Sequence, residues 1–135
     1  MRVVLDTNVL VSGLISPKGP PAEILRLLES DLFVPCFSDT ILAEYHDVLF
    51  RPHLGILPAA ATLLLEYLAI VGLRVLASPR RIGLPDSADE PFLEAALESA
   101  ASFLVTGNLR HFPVRLRQGV AVVSPRELIE ALRGR

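Results

Sequence analysis

The sequence has little of what a disulfide-bonded, zinc-binding or membrane-spanning protein needs. Cys36 is the only cysteine among 135 residues, which excludes an intramolecular disulfide and a cysteine-based zinc site. We expect Cys36 to be a small core residue on a strand. The longest apolar stretch, 59–73, is interrupted by Glu66 and is too short to span a bilayer. No signal-peptide pattern opens the chain, so we expect a cytoplasmic protein.

The sequence also has little lysine, because Lys18 is the only lysine beside twelve arginines. The formal net charge of −2 excludes a globally basic nucleic-acid binder. Arginine suits bidentate phosphate contacts, although genome composition explains the bias equally well. The apolar fraction of 51% and the length indicate one folded domain over residues 1–135.

Strand patterns alternate with helix patterns along the chain. This order predicts an α/β fold with a parallel sheet of five strands that is covered by helices on both faces. Ser124-Pro125-Arg126-Glu127 is a capping box that opens the last helix. The predicted strands are 2–6, 32–37, 73–77, 102–106 and 120–123, and the other predicted helices run from about Asn8 and over 21–30, 39–50, 58–71 and 88–100.

The first strand ends in an acid. Val3, Val4 and Leu5 form a continuous apolar run, which suits a strand buried on both faces, and Asp6 follows directly. Open α/β folds bind ligands at the carboxyl edge of the sheet. Asp6 is therefore either the N-cap of the next helix or the first ligand of a metal site.

Two further acids border apolar helix faces. Glu44 lies three residues after Ile41, beside the apolar stripe of its helix, and is either a surface residue or points into a cleft. Asp89 lies on the apolar face of its helix, three residues before Phe92. A lone carboxylate there is costly unless it caps the helix, is paired or binds a metal.

Polar residues also surround the start of that helix and the end of the fourth strand. Asp86 is a helix-start residue or a further ligand, and Glu90 is expected to pair with Ser87 in a capping box. The segment 106–108 is either an ordinary turn or part of the same edge. Acids crowded on one edge repel one another unless a hard divalent cation such as Mg²⁺ or Mn²⁺ is bound. Such a cation lowers the pKa of a water and neutralises phosphate charge, as phosphodiester hydrolysis requires.

These motifs, in this order, resemble the PIN-domain family of metal-dependent ribonucleases, which includes the toxins of bacterial toxin–antitoxin pairs. The resemblance covers nearly the whole chain. It is carried by Leu5-Asp6-Thr7-Asn8, by Glu44, by Asp86-Ser87-Ala88-Asp89-Glu90 and by Val105-Thr106-Gly107-Asn108.

The resemblance implies a three-layer α/β/α sandwich and assigns roles to these residues. Asp6, Glu44 and Asp89 match the catalytic, metal-binding acids, and Asp86 matches an additional acid of one branch. Asn108 and His111 stand where many members carry a fourth acid. The residues expected to orient ligands or to contact substrate are Asn8, Thr106, Asn108 and Arg110.

The resulting hypothesis is an Mg²⁺- or Mn²⁺-dependent endoribonuclease that acts on single-stranded RNA. A small antitoxin protein is the implied partner. The apolar helix 58–71 is either deeply buried or forms a dimer contact, and we favour a homodimer. The five arginines that are expected to form a basic rim are Arg80, Arg81, Arg110, Arg115 and Arg117.

Two other classes of function compete with this hypothesis. Asn108 and His111 favour a weakly active or inactive module of the same fold that binds RNA or a protein. A phosphatase or a receiver domain is disfavoured. The phosphatase pattern needs an Asp where Asn8 stands, and a receiver needs a late lysine, whereas the only lysine is Lys18.

Overall fold

The computed structural model describes residues 1–134 and contains one five-stranded sheet in which every neighbouring pair of strands is parallel. The spatial order is β3-β2-β1-β4-β5, so the first strand lies in the middle. The strands are β1 (Arg2–Leu5), β2 (Val34–Phe37), β3 (Leu73–Arg74), β4 (Phe103–Val105) and β5 (Val122–Val123).

Six helices flank the sheet and complete the three-layer α/β/α sandwich that the sequence predicts. Helix α5 packs on β1, β2 and β4, while α2 packs against α1 and α6. The helices are α1 (Thr7–Ile15), α2 (Pro20–Glu29), α3 (Asp39–Leu49), α4 (Pro58–Val71), α5 (Glu90–Ser99) and α6 (Pro125–Arg133).

The central position of β1 determines where its last residues lie. Val3, Val4 and Leu5 are at most 1% exposed, as expected for a strand covered on both faces. The register pairs Leu5 with Val105 of β4, so both strands end at the same level. The residues that follow these two strands therefore emerge side by side at the carboxyl edge of the sheet.

Several predicted elements are confirmed with shorter bounds. Cys36 is buried on β2, and Ser124 and Glu127 form the predicted capping box. The third strand pairs only over 73–74, because the chain leaves β2 after Val75 donates to Phe37. Helix α5 begins at Glu90 rather than Ala88. Pro91 lies in its first turn, where a residue without an N–H is tolerated.

Helix α4 ends at Gly72, where the chain turns tightly onto β2. A Cβ atom at position 72 would lie 2.6 Å from the carbonyl oxygen of Leu68, so a larger residue could not adopt this turn. On the outer surface of α4, Leu63 and Ile70 are 68% and 81% exposed. Within residues 1–134, no helix combines the length and the apolar character needed to cross a membrane.

Candidate active site

The residues that follow β1 and β4 contact each other at the carboxyl edge of the sheet. The Asp6 amide donates to the carbonyl of Val105 at 2.8 Å, which extends the β1–β4 pairing by one residue. The Thr106 hydroxyl donates to Asp6 Oδ2 at 2.7 Å. The side chain of Asp6 makes no capping hydrogen bond with α1, although the residue occupies the N-cap position. The structure therefore favours a site residue over a helix cap for Asp6.

Asn8 joins Asp6 to the turn that follows β4. Its Nδ2 donates to Asp6 Oδ2 at 3.3 Å, and its Oδ1 accepts from the Gly107 amide at 3.0 Å. The Asn108 amide donates to Thr106 Oγ1 at 3.0 Å, which fixes the hydroxyl that holds Asp6. Asn8 and Thr106 thus hold the carboxylate of Asp6 in place.

Glu44 reaches the same edge from helix α3. The helix begins after β2, where the Ser38 hydroxyl accepts from the Ile41 amide at 3.3 Å. The Tyr45 hydroxyl donates to the carbonyl of Leu5 and holds α3 against the end of β1. The Thr7 hydroxyl donates to Glu44 Oε2. The sequence analysis did not anticipate this contact of Thr7.

Asp89 completes the group of acids from the turn before α5. It occupies the N-cap position of α5, but its side chain makes no capping hydrogen bond. Its side chain is 14% exposed, and Oδ2 is buried with no hydrogen-bond partner among the described residues. His111 Nδ1 lies 3.0 Å from this oxygen, but the contact lacks the geometry of a hydrogen bond. An unpartnered buried carboxylate oxygen is costly and can bind a cation.

The two other acids near the start of α5, Asp86 and Glu90, make different contacts. Asp86 is exposed, and its Oδ1 accepts from the Ala88 amide at 2.9 Å, which agrees with the helix-start interpretation. The predicted capping box of Ser87 and Glu90 is wrong. Glu90 instead accepts from the amides of Ile82, Gly83 and Leu84 at 3.1 Å each.

We expect Glu90→Ala to lower the free energy of unfolding by about 2 kcal/mol, because three backbone amides lose a charged acceptor. Urea unfolding measures the change. Glu98→Ala is the matched control, because Glu98 lies on the same helix with its side chain 46% exposed and should change stability by less than about 0.5 kcal/mol. Equal losses in the two variants would contradict this role of Glu90.

Burial raises the pKa values of three acids at this edge. The pKa of Asp6 is raised by burial, and the Thr106 hydrogen bond opposes this effect. The pKa of Glu44 is raised by burial, and the Thr7 hydrogen bond opposes it. Burial and the neighbouring Asp6 carboxylate raise the pKa of Asp89 to about 6, while His111 opposes them. The group holds negative charge at a cost that a bound cation would relieve.

These side chains line one open cleft of about 610 Å³. The cleft contains Asp6, Asn8, Glu44, Asp86 and Asp89, whereas Thr106 is fully buried behind Asp6. Asn108 and Arg110 are not part of the lining. Three basic residues also line the cleft, namely His111, which the sequence pattern singles out, and Arg51 and His53, which it does not.

The predicted arginine rim does not form the wall of this cleft. None of the five predicted arginines is among its lining residues. Arg80 lies 3.7 Å from Glu98, and Arg117 donates to the carbonyl of Phe112 at 2.7 Å. Arg110 nevertheless directly precedes His111, which does line the cleft, so the basic rim stays a prediction for the surface around the cleft.

The donor set fits a hard divalent cation. It consists of carboxylate oxygens, and it includes the orphaned Oδ2 of Asp89. As the side chains stand, no three His, Cys, Asp or Glu residues within 1–134 form a ready-made ion site. The hydrogen bonds from Thr106 and Thr7 occupy one oxygen each of Asp6 and Glu44. Binding would therefore require the carboxylates to move closer together.

Comparisons with known proteins agree with this arrangement. The sequence model of the PIN domain family matches residues 2–110, a range that contains all four acids. The uncharacterized protein MJ1680 of Methanocaldococcus jannaschii is 32% identical over 111 residues, which cover 80% of this chain and 71% of that protein. The crystal structure of FitAcB from Neisseria gonorrhoeae has the same fold, with a TM-score of 0.55 at 18% identity, and the alignment covers 92% of this chain and 98% of that one.

Proposed function

We propose that this chain, which belongs to the PIN domain family, is an endoribonuclease that uses Mg²⁺ or Mn²⁺ to hydrolyse phosphodiester bonds of single-stranded RNA. The observation that carries the proposal is the buried Oδ2 of Asp89, which accepts no hydrogen bond and lies in a cleft with four other acids. A structural role explains a capped or paired carboxylate. It does not explain a buried oxygen that accepts no hydrogen bond and lies among other carboxylates, with only the His111 imidazole 3.0 Å away.

Asp6, Glu44 and Asp89 would hold the cation, with Asp86 at the exposed side of the same cleft. When bound, the cation lowers the pKa of a water molecule and neutralises charge on the phosphoryl oxygens. The hydrogen bonds of Thr106 and Asn8 keep Asp6 oriented, and Thr7 does the same for Glu44. Partners of this kind preserve the geometry of ligands and tune their basicity.

In the proposed reaction a water oxygen forms a bond to phosphorus while the opposite ester bond breaks. The departing oxygen takes up a proton, and the products are a phosphate monoester and a free hydroxyl. No side chain forms a covalent intermediate. The open shape of the cleft suits a single strand, whose sugar–phosphate chain can be drawn across the acids.

A cleavage assay tests this function. The purified protein is incubated with end-labelled single-stranded RNA, single-stranded DNA and duplex RNA, each with Mn²⁺, Mg²⁺ or a chelator. We expect internal cleavage of single-stranded RNA that needs the metal and leaves linear phosphate ends. Cyclic 2′,3′-phosphate ends, or cleavage in the chelator, would contradict a water nucleophile.

The competing function is a module of the same fold that binds RNA without cutting it. The observation that favours it is the side chain beside Asp89, where His111 supplies an imidazole in place of a further carboxylate. Metal-enhanced RNA binding with no hydrolysis in the same assay would support the module and exclude the nuclease.

As the toxin of a toxin–antitoxin pair, the chain would bind a small antitoxin protein and a second copy of itself. The exposed residues Leu63 and Ile70 form an apolar face on α4 that a homodimer would cover. Light scattering should give a dimer mass for the natural chain and a monomer mass for Ile70→Glu. Thr62→Glu is the control, because Thr62 is an exposed polar residue of the same helix. A monomeric natural chain would contradict the homodimer.

A further inference from the structure

The acidic cleft extends along helix α3 to a basic residue, Arg51, that is not one of the proposed metal ligands. Glu44, Asp47 and Arg51 follow one another at intervals of three and four residues, which places them along one side of α3 and its extension. All three line the cleft. Arg51 follows Leu49, the last residue of α3, by two positions, and its positive charge opposes the raised pKa of Glu44, so the guanidinium lies within electrostatic reach of the acid group.

Arg51 is the only lining residue with a permanently charged cation in the part of the chain that the structure describes. The backbone at Arg51 is extended, with φ −68° and ψ 123°, because Pro52 follows and disfavours the helical conformation. The helix therefore ends just before Arg51. The guanidinium lies on the wall of the cleft and stays within hydrogen-bond distance of Asp47 on α3.

The existing partner of Arg51 holds it weakly. Arg51 Nη2 lies 2.8 Å from Asp47 Oδ2, but the two side chains are 49% and 70% exposed. Exposed ion pairs of this kind contribute little to stability. A phosphate group offers the guanidinium two parallel hydrogen bonds and can displace a solvated carboxylate. Asp47 therefore competes with an anion for Arg51 and does not bury the residue.

We infer that Arg51 binds a backbone phosphate of the RNA strand next to the scissile one, and that Asp47 competes for the same guanidinium. This inference rests on the proposed function, because it takes a nucleic-acid strand as the occupant of the cleft. Arg51 is a positioning residue. It contacts a phosphate that does not react, so it contributes to substrate binding and not to the bond-breaking step.

Binding measured by fluorescence anisotropy tests the inference. The probe is a fluorescein-labelled single-stranded RNA, titrated with protein in Mg²⁺ and separately in a chelator. We expect Arg51→Gln to weaken binding about tenfold and to reduce the salt slope by about one. Asp47→Asn should strengthen binding several-fold, and this gain should largely disappear in the double variant.

Arg133→Gln and Glu23→Gln are the matched controls. Arg133 and Glu23 also form an exposed ion pair at 2.7 Å, but neither lines the cleft, and Arg133 lies at the end of α6 away from the sheet edge. We expect both controls to bind RNA as the natural chain does. Equal weakening in Arg51→Gln and Arg133→Gln would reduce the effect to net charge and overturn the inference.

A second probe locates the contact. In each RNA of a series, one phosphate is replaced by a neutral methylphosphonate. At one position this replacement should weaken binding to the natural chain but not to Arg51→Gln. In cleavage assays Arg51→Gln should raise KM and leave kcat unchanged. The failure of each proposal is distinguishable. RNA binding without hydrolysis by the natural chain would contradict only the nuclease activity. Hydrolysis by Arg51→Gln with an unchanged KM, or no RNA binding by the natural chain, would contradict the role of Arg51.

Discussion

Asp6→Asn should reduce Mn²⁺-dependent cleavage of single-stranded RNA by at least about 100-fold, because loss of a mere supporting contact to a metal ligand already costs 10- to 100-fold. Asparagine keeps the shape of the side chain and an oxygen that accepts from Thr106, so the hydrogen bond that now measures 2.7 Å can persist. The charge is lost. The variant therefore separates the role of the carboxylate as a ligand from its role in packing.

The matched control is Asp31→Asn, which makes the same chemical change outside the cleft. Asp31 has a φ of 57°, a conformation that asparagine tolerates well. This variant should cleave RNA at the natural rate. Circular dichroism and thermal melts establish that both variants are folded. Full activity of a folded Asp6→Asn protein would remove Asp6 from the list of metal ligands.

The site residues that directly follow strands could be predicted from the sequence. Asp6 and Thr106 each follow an apolar strand, and parallel strands end at one edge, so their proximity follows from the fold. Thr7 and Asn8 follow Asp6 directly. The sequence therefore contained a signal for the contact between Thr7 and Glu44, because an α3 acid aimed at this edge must meet the first turn of α1.

Contacts that depend on the path of a loop are not predictable in this way. Glu90 has the spacing of a capping box with Ser87, but it accepts three amides of the segment 82–84 because that loop folds back over the start of α5. The same reason applies to the basic residues. Arg51 lies on the cleft because Pro52 ends α3 there, whereas the predicted arginines of the later loops lie elsewhere.

The second large effect concerns stability without metal. We expect the metal-free protein to melt at a temperature roughly 5 °C higher at pH 5 than at pH 7. The folded-state pKa of Asp89 is about 6, above the value of about 3.9 for an unfolded Asp. Between these values the folded state binds more protons than the unfolded state, so stability falls as the pH rises. The contribution of Asp89 is largely lost by pH 7. Asp6 and Glu44 act in the same direction, because their pKa values are also raised.

The difference between the natural chain and Asp89→Asn isolates this contribution. The variant carries no charge at position 89, so the rise in unfolding free energy from pH 7 to pH 5 should shrink by about 1 kcal/mol. Glu127 has a lowered pKa, so its stabilisation is lost only below about pH 4.5, outside this range. Differential scanning calorimetry at pH 5, 6 and 7 measures these values.

Manganese should oppose the same loss of stability. A cation bound between the carboxylates keeps them ionised, so Mn²⁺ at pH 7 should raise the melting temperature of the natural chain by several degrees, since it binds only the folded state. The effect should be smaller at pH 5, where protons compete with the metal for Asp89, and smaller again in Asp89→Asn. A melting temperature that does not respond to Mn²⁺ would contradict Asp89 as a ligand, whereas a natural chain that melts at a higher temperature at pH 7 than at pH 5 would contradict its raised pKa. Because the measurement needs no substrate, it tests the metal site independently of whether the protein cleaves RNA.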